Sequence, residues 1–126
     1  MLEWSNDLSQ ETIDSWKNNH DIAEFGAIAI ALLLIQKFTD FDAFEISNLG
    51  TGIDFWLGKK LPNTYAIQKR EARLEVSGIF TETSSNSISK RTWQKSKQME
   101  KSDHTKLPGY VVVTAFDSPK SKFVKK

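Results

Sequence analysis

Two short apolar segments, each carrying one acidic residue, constrain the fold of this chain most strongly. The first is residues 52–58, which contains Asp54, and the second is residues 73–79, which contains Glu75. Each segment predicts a β-strand, and the alternation of side chains along a strand separates the acidic residue from its aliphatic neighbours. A lone carboxylate among apolar groups is costly unless something compensates it. If the strands are adjacent, both acids can converge on a divalent cation; the alternative is two ordinary solvated carboxylates on a half-exposed sheet.

The longest apolar stretch predicts a helix that packs against this sheet. Asp21 has the position of an N-cap for a helix from Ile22 to about Phe38, and the preceding residues 1–20 form either an irregular lead-in or a short helix over residues 9–18. The helix is apolar almost all round, so we expect protein on both of its sides. Its glycine and alanines allow a close approach to a sheet. Glu24 is the single charge in its first turns, where the helix dipole favours a carboxylate.

The remaining pattern predicts more strands and a second helix. The predicted elements are strands over residues 41–47, 53–57 and 64–79, a helix from Ile88 to about Ser102 capped by Ser85 or Ser87, and a strand over residues 110–116. The last strand is continuously β-branched, as is typical of a central buried strand. The order is α-β-β-β-α-β, which predicts one α/β domain over residues 1–126, with a core at 21–117 and a basic tail at 118–126.

The net charge of +1 conceals an asymmetry along the chain. Residues 1–40 carry seven acidic residues against two lysines, whereas residues 41–126 carry nine acidic residues against fifteen lysines and arginines. A basic C-terminal two thirds favours a polyanionic partner.

The absence of cysteine excludes a disulfide framework and a thiolate metal site, and it is compatible with a reducing, cytoplasmic compartment. The apolar run at residues 27–35 is shorter than the roughly 20 residues that cross a bilayer, so we expect no membrane segment. The N-terminal residues are polar and acidic, unlike a secretory signal.

The order of elements, together with the acids Glu24, Asp54 and Glu75, resembles the PD-(D/E)xK nuclease superfamily, which has the restriction-endonuclease-like fold. The resemblance implies an αβββαβ core with a mixed central sheet flanked by helices. It also implies a metal-dependent phosphodiesterase that acts on DNA with Mg²⁺ or Mn²⁺. Asp54 and Glu75 would then be metal ligands, joined by the Val76 carbonyl and, directly or through water, by Glu24.

One residue departs from the pattern of that family. The family lysine of the (Asp/Glu)-x-Lys motif is Ser77 in this chain. A serine brings no positive charge to the attacking water, but it can hydrogen-bond a water or a phosphate oxygen, so Ser77 is a candidate site residue behind the metal ligands. Lys95, on the following helix, lies about 40° from the apolar line of that helix and could reach the site to orient the water. Gln98 resembles a helix glutamine that exonuclease branches of the family use near the metal. Two hypotheses therefore remain open: an active nuclease, and a nuclease fold without catalysis that binds nucleic acid or a partner protein.

Basic side chains around the hairpin of the second and third strands and on the second helix are candidates for phosphate contacts without base specificity. They are Lys59, Lys60, Lys69, Arg70, Arg73, Arg91 and Lys97, with Gln98 beside them. The alternative for the helical residues is the solvated side of an amphipathic helix. Small nucleases often pair to cut both strands, so a homodimer is expected by analogy.

Overall fold

Five strands form one mixed sheet with a helix on each face. The computed structural model describes residues 6–60 and 68–126, with side chains from residue 18 onward. The elements are α1 (Asn6–Phe38), β1 (Phe41–Ile46), β2 (Phe55–Lys59), β3 (Ala72–Ile79), α2 (Ile88–Gln98), a 3₁₀ helix (Met99–Thr105), β4 (Gly109–Ala115) and β5 (Lys120–Lys125). The strands follow the order β1-β2-β3-β4-β5, with β3 and β4 parallel and every other neighbouring pair antiparallel. The predicted α/β class is confirmed, and β5 is formed by the basic tail.

Helix α1 is longer than the sequence pattern predicts. It begins at Asn6 and continues without interruption past Asp21, so the predicted N-cap at Asp21 was wrong. Of the two alternatives for the residues before Asp21, the helical one over residues 9–18 is confirmed, and this segment is continuous with the helix that follows it. Among the described residues, no helix has the length and hydropathy needed to span a membrane.

One face of α1 packs against the sheet, and the opposite face is exposed. The packed face is made of small residues, Ala23, Ala27 and Ala31, followed by Ile35. These residues lie against the apolar side chains of β2, β3 and β4, including Leu57, Leu74, Val76, Tyr110 and Val112. The expectation that both sides of the helix are covered was wrong, because Ile22, Phe25 and Leu33 on the opposite face are each more than half exposed.

The other face of the sheet is covered by α2 and the 3₁₀ helix. Ser87 caps α2 by accepting a hydrogen bond from Lys90 N at 3.2 Å, which settles the two predicted alternatives. The helix ends at Gln98 rather than near Ser102, and the chain tightens there into the 3₁₀ helix. Ile88 and Met99 pack against the side chains that project from this face of the sheet, which include Trp56, Ile79, Val111, Val113 and Ala115.

Strands β2 and β3 separate beside Asp54 and Glu75. They pair only over residues 55–57 and 72–74, and Asp54 N donates to Leu74 O at 2.9 Å just outside this ladder. The predicted second strand began two residues too early, so Asp54 lies before β2 rather than within it. Alternate residues of β3, such as Arg73, bond to the β4 side. The N–H groups of residues 76 and 78 therefore point into the gap that opens beside β2.

Candidate active site

The carboxyl groups of Asp54 and Glu75 meet at one backbone donor in this gap. Asp54 Oδ2 accepts a hydrogen bond from Val76 N at 2.8 Å, and Glu75 Oε1 lies 3.3 Å from the same nitrogen. Both side chains lie on the α2 side of the sheet, as alternation along the two strands requires. The two acids are therefore neighbours, and we refer to them as the carboxyl pair.

Glu75 is the buried member of the carboxyl pair, with 1 % of its surface exposed. Burial raises the pKa of Glu75 to about 9, and the hydrogen bond and negative charge of Asp54 act in the same direction. The positive charge of Lys95 and the backbone N–H of Val76 oppose this rise in pKa without cancelling it. At neutral pH, Glu75 therefore holds a proton.

Two side chains of α2 approach the free oxygen of Glu75. The Gln98 side-chain amide donates a hydrogen bond to Glu75 Oε2, and Lys95 Nζ lies 3.8 Å from the same oxygen. Lys95 keeps 24 % of its side chain exposed, so its ammonium group can face both the carboxyl pair and solvent. The helical spacing placed these two residues on the side of α2 that reaches the sheet.

A glycine turn fixes the backbone that carries Asp54. Gly52 is buried with a positive φ of 70°, and a Cβ atom there would overlap the backbone carbonyl of Gln98. The close approach holds the turn at residues 48–52 against the end of α2, beside Asp54. Lys101 and Gln98 line the same cleft as Asp54. Lys101 was not predicted as a site residue, because it is one of several basic residues along this stretch.

Ser77 is buried on the α2 side of β3, where its hydroxyl group binds an arginine side chain. Its Oγ accepts a hydrogen bond from Arg91 Nη1 at 2.6 Å, while Arg91 Nη2 donates to Asn86 Oδ1 at 2.7 Å. Within the described part of the chain, no carboxylate forms an ion pair with Arg91. The guanidinium lines a cleft between α1 and the end of β3. Asn86 was missed, since an asparagine in a polar loop carries no signal of its own.

Glu24 binds the same open edge of β3 from the opposite side of the sheet. Its Oε1 accepts a hydrogen bond from Gly78 N at 3.2 Å, two residues beyond Val76. Two residues of a strand span about 7 Å, which separates Glu24 from the donor that the carboxyl pair shares. Among residues with described side chains, no three acidic, histidine or cysteine side chains are grouped to hold a metal ion. Glu24 thus caps a free backbone donor.

Arg73 does not fit the predicted role in nucleic-acid contact. It is 4 % exposed, and its guanidinium donates to the carbonyls of Met99 and Leu107, to Ser102 Oγ and to Asp103 Oδ1. Alternation along β3 places the Arg73 side chain on the same face of the sheet as Glu75, and the 3₁₀ helix covers this end of that face. The arginine ties that helix to β3 and has no donor directed to a ligand.

The other predicted phosphate contacts divide into structural and exposed residues. Lys60 Nζ donates to Gln36 O at 2.7 Å and so binds the C-terminal end of α1. Arg70 forms two hydrogen bonds to the Glu45 carboxylate, at 2.7 and 2.8 Å, and stacks over the Trp56 ring. Lys60 and Arg70 are exposed, but their charged groups are bound in this way. Lys59, Lys69 and Lys97 are exposed too, and Lys59 and Lys97 form surface ion pairs with Glu71 and Glu100. These three remain candidates for contact with a polyanion.

Comparison of the chain with protein-family models, with curated protein sequences and with solved structures finds no match. The chemistry of the site is therefore argued from its own geometry.

Proposed function

We propose that this protein is a metal-dependent phosphodiesterase of the nuclease type that acts on DNA, built on a restriction-endonuclease-like fold. The observation that carries the proposal is the carboxyl pair at the open edge of β3, with the Lys95 ammonium group 3.8 Å from Glu75. Paired acids and a lysine at a place where two strands separate suit phosphodiester hydrolysis, which needs a positioned water and a neutralised phosphate.

The residues present are suited to a Mg²⁺ or Mn²⁺ ion. The carboxyl pair offers oxygen ligands, and the Val76 carbonyl should face the same edge as its N–H, since both groups of a strand residue point to one side. Mg²⁺ prefers oxygen ligands and keeps several waters, so two carboxylates and one carbonyl would be enough to hold it. When bound, such an ion supplies charge neutralisation at the phosphate and a more acidic water.

The side chains of α2 provide the remaining functions. Lys95 replaces the missing motif lysine at Ser77, orienting the attacking water beside Glu75. Arg91, fixed by Ser77 and Asn86, presents a guanidinium without a carboxylate partner among the described residues, and it binds a phosphate of the substrate. The exposed lysines contact the DNA backbone without reading its sequence.

A second candidate function is a nuclease fold that binds nucleic acid, or a partner protein, without cleaving it. Ser77 favours this alternative, because it is uncharged at the position of the family lysine and is already bound to Arg91. The absence of a three-acid group among the residues with described side chains favours it too.

Nicking of supercoiled plasmid DNA with Mg²⁺ or Mn²⁺ separates these functions. We expect Asp54→Asn and Lys95→Met each to lower the rate by about 100-fold or more, since each removes a group that acts in the transition state. Lys90→Met is the matched control on α2, because Lys90 is exposed and its ammonium group bonds Ser84 O. This control leaves the rate unchanged.

The outcomes lead to different conclusions. DNA binding without cleavage under either metal supports the second function. Cleavage that survives Asp54→Asn means that the carboxyl pair is not the site. A chain that neither binds nor cleaves DNA contradicts the nuclease function and the DNA-binding form of the second function.

A further inference from the structure

The exposed face of α1 carries a line of apolar side chains that we call the outer stripe, made of Ile22, Phe25, Ala29 and Leu33. Ile22 is 61 % exposed, Phe25 74 % and Leu33 66 %, and Ala29 is exposed between them. With about 100° per residue, the stripe lies opposite the buried face of the helix. Ile22, Phe25 and Leu33 point outward, whereas the residues that face the sheet include the small Ala23, Ala27 and Ala31, which differs from the usual arrangement of a surface helix.

The outer stripe is complementary to itself when two copies lie antiparallel. Phe25 and Leu33 are equally far from Ala29 along the helix. Across a two-fold axis at Ala29, Phe25 of one copy would therefore face Leu33 of the other copy. Asp21 and Lys37, both exposed, are also equally far from Ala29, and they would form an ion pair at each end. The alanine at the crossing point allows the two helices to approach closely.

We infer that the outer stripe binds a second copy of this chain, with the two α1 helices antiparallel and crossing at Ala29. A parallel pair would set Asp21 against Asp21 and Lys37 against Lys37, and like charges that face each other are unfavourable. The inference concerns a surface away from the carboxyl pair and does not depend on the proposed function.

A lipid surface suits the outer stripe less well than a second copy. Helices that lie on membranes carry lysine and arginine on their polar face. Residues 18–37 contain two acids, Asp21 and Glu24, and one lysine, Lys37, so their net charge is negative and an anionic membrane would not attract this stretch.

The size of the outer stripe sets the expected affinity. From residue 18 to residue 36 the contact strip is about 27 Å long and about 10 Å wide. A strip of this size covers roughly 270 Å² on each copy, which is below the roughly 1,000 Å² in total that a stable interface clears, so the dimer is weak and transient and forms at high protein concentration. Such a dimer is detected by varying the protein concentration.

Sedimentation velocity over a range of protein concentrations tests the inference. We expect the average mass to rise from 14.3 kDa toward twice that value. Phe25→Glu and Leu33→Glu should each keep the chain monomeric at the concentrations at which the unmodified chain pairs. The matched control is Leu49→Glu, because Leu49 is fully exposed but lies outside α1, and it should pair like the unmodified chain.

Charge reversal tests the antiparallel geometry. Asp21→Lys and Lys37→Asp should each weaken pairing, and the double variant should restore it, since every cross-pair regains opposite charges. Failure of the double variant to recover would overturn the geometry.

Cross-linking gives a second test of geometry, and the lack of native cysteine makes single-cysteine variants specific. Ala29→Cys should be joined to itself by a short bismaleimide. In the antiparallel pair, two Phe25→Cys chains carry their thiols about 12 Å apart along the axis, whereas Phe25→Cys mixed with Leu33→Cys should cross-link. Self-linking of Phe25→Cys as readily as Ala29→Cys would overturn the antiparallel arrangement.

Three further results would overturn the inference. The chain could stay monomeric at every concentration. Leu33→Glu could lower the melting temperature of the monomer, which would mean that the same chain covers the stripe. Binding to vesicles of neutral or anionic lipid that is lost in Phe25→Glu would assign the stripe to a membrane surface instead.

Discussion

Replacing Glu75 by glutamine should make the protein more stable at neutral and alkaline pH. Glutamine has the shape of the protonated acid, so it keeps the side chain at the Val76 N–H and removes the titration. Because the pKa of Glu75 is raised from 4.5 to about 9, the folded state holds a proton that the unfolded state releases between these values. The contribution of Glu75 to stability is therefore complete at low pH and falls as pH rises toward 9.

The size of the effect follows from the same shift in pKa. One pH unit within this interval changes the free energy of unfolding by about 1.4 kcal/mol. Between pH 4.5 and pH 7 the unmodified chain should thus lose about 3 kcal/mol relative to Glu75→Gln. At pH 4.5 the two proteins should be close in stability, because both carry an uncharged side chain at this position when folded.

Urea unfolding followed by tryptophan fluorescence at several pH values measures this difference. Comparing the variant with the unmodified chain at each pH cancels the other titrating groups. Glu100→Gln is the control, since Glu100 forms only an exposed pair with Lys97 at 3.5 Å and should change stability by less than about 1 kcal/mol at any pH. A difference between Glu75→Gln and the unmodified chain that does not grow with pH would refute the buried, protonated carboxyl pair.

Two further predictions concern residues that position the site. Arg73→Met should lower the free energy of unfolding by about 3 kcal/mol or more, because buried carbonyls around the 3₁₀ helix lose their donor. Arg70→Met, in an exposed pair, should cost much less in the same urea assay, and equal costs would contradict the structural role of Arg73. Gly78→Ala should cost about 1–3 kcal/mol, since the added Cβ would overlap the Ala23 carbonyl and push α1 from β3. An unchanged melting temperature would contradict that close approach.

The order of elements and the convergence of Asp54 with Glu75 could be predicted because both depend on local patterns. Apolar alternation marks a strand, and an acid inside such a strand must find a partner. Helical spacing likewise placed Lys95 and Gln98 on the side of α2 that faces Glu75. These are properties of neighbouring residues, which the sequence displays directly.

The rest depended on contacts between distant segments. Arg73 resembles an outward strand residue until the 3₁₀ helix, some thirty residues later, folds over it. The open edge of β3, which gives Glu24 its hydrogen bond at Gly78, exists only because β2 turns away after Asp54. The outer stripe of α1 was expected to be covered, since the sequence shows that a helix is apolar but not how many layers surround it.

Proton release on Mn²⁺ binding tests the central claim most directly. If Asp54 and Glu75 form one cation site, Mn²⁺ must displace the proton that Glu75 holds at pH 7. Isothermal titration calorimetry in buffers of different ionisation enthalpy counts that proton. We predict about one proton released per Mn²⁺ bound to the unmodified chain and none with Glu75→Gln. No binding of Mn²⁺, or binding with no proton release, would contradict a cation site at these two carboxyl groups.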